Sequence, residues 1–60
     1  MSYAEAKKIA LLRLELRACW QADDRTGASA ALTKLEAAAG DDDELTAETR
    51  RWAVKLTLAA

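Results

Sequence analysis

The stretch "AAAGDDDELTAETRRW", Ala37 to Trp52, places one glycine and four consecutive acids, Asp41 to Glu44, between two alanine- and leucine-bearing segments. Three roles would account for it: a metal-binding loop, a phosphate mimic for a basic partner, or a joint between helices. The joint fits best. Gly40 can take the left-handed conformation that a helix C-terminus wants. Acids just before a helix are favoured by its dipole and its unpaired N–H groups. Asp41 is followed three residues on by Glu44, Thr46 offers a second cap, and Arg50, Arg51 and Lys55 come later, towards the end that favours cations. A calcium loop of the EF-hand type alternates its ligands around a central glycine and closes on a glutamate, and "DDDELTAETRRW" does neither.

Working outward, the rest of the chain is also helical. It has no proline, its only glycines are Gly27 and Gly40, and fifteen of its 60 residues are alanine, the best helix former. Strand-like alternation is absent. "SYAE" at Ser2–Glu5 has the form of a capping box, and "ADDRTG" makes a first joint in which Asp23, Asp24 or Thr26 can cap the next helix. The fold class predicted is all-α: a single domain over 1–60, a small three-helix bundle with helices at about 2–21, 26–39 and 45–58 that completes its core by dimerisation. "LRACWQADDRTGASAALTKLEAAAG" resembles a helical hairpin of tetratricopeptide-like arrays. A period of about 34 residues has no room to repeat here, and the characteristic tryptophan and tyrosine spacing is missing, so it counts as a general hairpin signal.

A chain this short buries only about 60% of the surface it exposes when unfolded, and its core supplies roughly 3–5 kcal/mol. One cysteine forbids an internal disulfide, and with no histidine a structural zinc site lacks its usual ligands. No metal and no cofactor is expected. Oligomerisation remains, with a dimer favoured. The net charge of −1 lacks the basic excess of a general polyanion binder. No apolar run approaches the roughly 18 residues that span a bilayer, and charge punctuates the N-terminal segment where a signal peptide would need an apolar stretch. The expected compartment is the cytoplasm, with Cys19 reduced.

At about 100° per residue, the first helix carries two apolar stripes. Ile9, Leu12, Leu16, Cys19 and Trp20 form one; Tyr3, Ala10, Leu11, Leu14 and Ala18 form the other. Lys8 and Glu15 separate them on one side, Arg13 and Arg17 on the other. The second helix has a single stripe of Ala28, Ala31, Leu32, Leu35 and Ala39, small enough for close approach by a neighbour. The third has Leu45, Trp52 and Leu56 on one side and Ala47, Val54 and Leu58 on another. The expected core is Ile9, Leu12, Leu16, Trp20, Leu32, Leu35, Trp52 and Leu56. The leftover residues Tyr3, Leu11, Leu14, Ala18, Val54 and Leu58 are the candidate protein interface. In a competing arrangement, the second and third helices cover opposite sides of the first and leave a monomer.

Catalysis finds little support. Cys19 has no histidine to activate it and belongs to an apolar stripe, and Asp23–Asp24 sit at a joint where capping explains them. No glycine-rich phosphate loop is present. The expected function is non-enzymatic: protein–protein contact, as a self-associating adaptor, small regulator or assembly subunit, with itself or with an unidentified protein. The alternative is a small DNA-binding transcriptional regulator using Arg50, Arg51 and Lys55 of the third helix. Against it, a recognition helix reads bases near its N-terminal end, where "GDDDE" would repel phosphate. The charge that divides the stripes of the first helix also argues against a membrane-surface role.

Overall fold

A helix starts where a side chain can replace the missing partner of a backbone N–H, and the computed structural model, which describes residues 2–59, shows this at three places. Ser2 Oγ accepts from the Glu5 N–H at 3.2 Å and opens the first helix, α1 (Tyr3–Gln21). Asp24 Oδ1 accepts from the Gly27 N–H at 2.9 Å and opens α2 (Arg25–Ala39). Asp42 Oδ1 accepts from the Leu45 N–H at 3.0 Å and opens α3 (Asp43–Ala59).

The joints are built from paired backbone groups. At the end of α1 the Asp24 N–H donates to the Cys19 carbonyl at 2.8 Å and the Asp23 N–H to the Trp20 carbonyl at 3.2 Å. This is the six-to-one and five-to-two pairing of a Schellman cap, and it holds Asp23 at a left-handed φ of 58°. At the second joint Gly40 has φ 53°, and the Asp42 N–H returns to the Ala39 carbonyl at 2.9 Å. The acid run is therefore a helix start, with Asp42 as the cap in place of Asp41 or Thr46. That choice begins α3 at Asp43, earlier than the expected start near Leu45. No basic residue occupies the last turn of α3. Arg50, Arg51 and Lys55 stand too far from its end to meet the dipole, whose effect is confined to the terminal turn.

The protein is a small all-α three-helix fold measuring 34 × 19 × 13 Å. Its middle helix is α2, which packs closely on both neighbours, while α1 and α3 come together only through side chains. Ala28, Ala31 and Ala39 are buried on α2, and their short side chains permit that close approach. The arrangement with α1 in the middle is not the one formed. The core consists of Ile9, Leu12 and Leu16 of α1, the α2 stripe with Leu32 and Leu35, and Leu45 of α3. Leu16 and Leu35 are fully enclosed.

Three residues expected in the core, Trp20, Trp52 and Leu56, are only half-buried at its edge. A layer closed on alanines leaves little depth for an indole, and the two rings pack against each other at the edge of the core. Thr49 is buried instead, and its hydroxyl donates to the Thr46 carbonyl at 2.8 Å. That bond removes most of the cost of enclosing a polar group. Among the described residues, no helix is long and apolar enough to cross a membrane.

Candidate functional site

The face of α1 turned away from α2 is where apolar side chains remain in water. Tyr3 is 84% exposed, Leu11 56% and Leu14 61%, and Ala18 beside them is exposed as well. The helical period explains the pairing of faces. Ile9, Leu12 and Leu16 point into the core, so residues displaced by about half a turn point out. Lys8 and Glu15 flank this face on one side and Arg17 on the other, all exposed. Among the described residues, neither Lys8 nor Glu15 has an ion-pair partner within the chain. Val54 and Leu58, at 58% and 81% exposure, occupy the outward side of α3. The six candidate interface residues thus lie on the outer faces of two helices, four of them on α1.

The inner sides of α1 and α3 hold a second group of residues. Arg13 grips Glu48 across 35 positions of sequence, with Nη2 donating to Oε2 at 2.7 Å and Nε to Oε1 and Oε2 at 3.1 and 2.9 Å. Trp20 meets Trp52 edge to face, with centroids 6.0 Å apart and planes at 71°. The Lys55 ammonium sits 5.1 Å from the Trp20 ring centre and 5.0 Å from that of Trp52. Each such contact contributes about 0.5–1 kcal/mol at an exposed site. Together they join two helices whose backbones do not touch. Helical spacing assigns both tryptophans to one core set, but it does not single out Lys55 or the Arg13–Glu48 pair. The only signal available was that Glu48, Trp52 and Lys55 recur at helical spacing.

No family model, no curated protein and no solved structure matches this chain.

The chemistry open to the remaining groups is limited. Cys19 is half-buried beside Trp20 and the α1–α2 joint. Burial pushes its thiol above the usual range, and the carboxylates of Asp24 and Glu15 push it further the same way. That is the opposite of the electropositive setting that activates a nucleophilic thiol. An open hollow of about 200 Å³ beside it is lined by Trp20, Asp23, Asp24 and Arg25, below the size of a usual small-molecule pocket. Asp23 reaches Arg25 only at 3.7 Å, with both side chains largely in solvent. Among the described residues, no three carboxylate or thiol side chains converge in the way a metal requires. Of the basic residues on α3, Arg50 and Arg51 are exposed, while Lys55 is engaged over the two indoles.

Proposed function

We propose that this protein acts without catalysis, through protein–protein contact, and pairs first with a second copy of itself as a self-associating adaptor, small regulator or assembly subunit. The observation that carries this reading is the outer face of α1. Tyr3, Leu11, Leu14 and Ala18 stay exposed after the chain has closed its own core. Covering a leucine contributes roughly 1.5–3 kcal/mol, so a two-fold pairing of these residues rivals the stability of a core this small. Two-fold closure is also the commonest symmetry for identical chains. Val54 and Leu58 are further exposed apolar residues, on the outward side of α3. The single unactivated thiol and the absence of any disulfide-forming pair fit a reducing compartment, the cytoplasm.

Light scattering tests the reading. A dimer mass at micromolar concentration is expected, and Leu14→Glu should return a folded monomer. Lys34→Glu, an exposed change on α2 away from this face, should leave the dimer whole. A monomer mass for the unaltered protein would overturn the proposal.

A further inference from the structure

We propose that the two copies meet antiparallel, α1 against α1, in a register fixed by Lys8 and Glu15. This rests on the self-association proposed above and adds its orientation. The outer face of α1 has the pattern of a helix seam. Ala4, Leu11 and Ala18 recur every seventh residue, and so do Lys7, Leu14 and Gln21. The first set gives a small–large–small profile. Lys7 lies within the face, where its stem can cover apolar surface while its ammonium stays in water.

The flanks decide the direction. Lys8 and Glu15 lie one heptad apart on the same flank, both exposed and, among the described residues, unpaired within the chain. A two-fold axis perpendicular to a pair of antiparallel helices brings each flank against the same flank of the other copy, running in reverse. Lys8 of each copy then faces Glu15 of the other, and two equivalent ion pairs form. A two-fold axis along the helices would instead set this flank against the opposite one, with Tyr3 facing Lys8 and Ala10 facing Glu15. No ion pair results from that arrangement. Only the antiparallel direction uses both charges.

The same register places the axis between Leu11 and Leu12. Leu11 then packs on its own copy, Leu14 lies within a turn on each side, and Ala18 falls opposite Ala4, where two backbones can approach. On the other flank, Arg17 comes within reach of the Tyr3 ring of the second copy, a further contact between a cation and an aromatic face. The rest of the fold leaves room for this seam, because α2 and α3 both lie on the core side of α1.

Charge reversal tests the orientation. Lys8→Glu sets acid against acid at both pairs, and Glu15→Lys sets base against base. Each single variant should therefore dimerise about tenfold more weakly than the unaltered protein by sedimentation. The double variant Lys8→Glu/Glu15→Lys should recover the original affinity. An equimolar mixture of the two single variants should form the mixed dimer in preference to either homodimer, seen by native mass spectrometry. Both positions are exposed on a helix, and circular dichroism checks that each variant keeps its helicity. If the unaltered protein is a dimer that Leu14→Glu splits, yet both charge variants dimerise unchanged, the antiparallel register is wrong while self-association stands. A monomeric unaltered protein overturns both.

Discussion

At the scale of single residues, the first joint shows how little the type of a residue says about its role. Gly27 lies in "DDRTG", a string that reads as a turn, yet it occupies the first turn of α2. A Cβ there would lie 2.9 Å from Cys19 Sγ and would strike the Asp24 carboxylate, which is held by its capping bond to the Gly27 N–H. Asp23 has the reverse history. It is an ordinary L-residue held at a left-handed φ of 58° because it is the turning point of the Schellman cap. Alanine for glycine within a helix usually gains about 1 kcal/mol, but here overlap with the thiol and the cap outweighs that gain. Gly27→Ala should lower stability by about 1–3 kcal/mol. Asp23→Gly should raise it by up to about 1 kcal/mol, since glycine carries no left-handed penalty and the exposed contact to Arg25 contributes little. Urea denaturation of the two variants checks the pair of signs. A higher midpoint for Gly27→Ala would mean that Cys19 and Asp24 yield without loss.

At the scale of elements, the acid run divides its work unequally. Asp42 satisfies the Leu45 N–H with its side chain and the Thr46 N–H with its carbonyl. Asp43 and Glu44 lie in the first turn, where negative charge is favoured by the dipole, and Asp41 stands outside the helix. Asp42→Ala should cost about 1 kcal/mol, whereas Asp42→Asn should be close to neutral because asparagine caps equally well. Asp41→Ala should stay within about 0.5 kcal/mol. Thermal melts of the three variants would contradict this assignment if Asp41→Ala proved the most damaging. The existence of the joint was legible in sequence because glycine and capping acids act over a few residues. Which aspartate caps was not, since Asp41, Asp42 and Thr46 are all competent by type. The choice fell to Asp42 once the turn at Gly40 returned the Asp42 N–H to Ala39.

At the scale of the whole molecule, stability and association are coupled. A ligand that binds only the folded state raises its stability by mass action, and a second copy is such a ligand. The melting temperature should therefore rise with protein concentration, and Leu14→Glu should abolish that rise without changing the helical content. A concentration-independent melt of the unaltered protein would separate folding from pairing and count against the interface. The helical class, the two joints and the alanine stripe of α2 are legible in the residues alone, as are the two apolar stripes of α1. Those features depend on propensity, capping and helical period, all of which operate within a few residues. Packing of whole helices settles the rest: the stripe Ile9, Leu12 and Leu16 turns inward, α2 is the middle helix, Thr49 is buried while Trp20 and Trp52 stay at the edge, Arg13 reaches Glu48, and Lys55 spans both indoles. These outcomes depend on how closely whole helices approach, and that distance is set jointly by alanines on one helix and bulky side chains on two others.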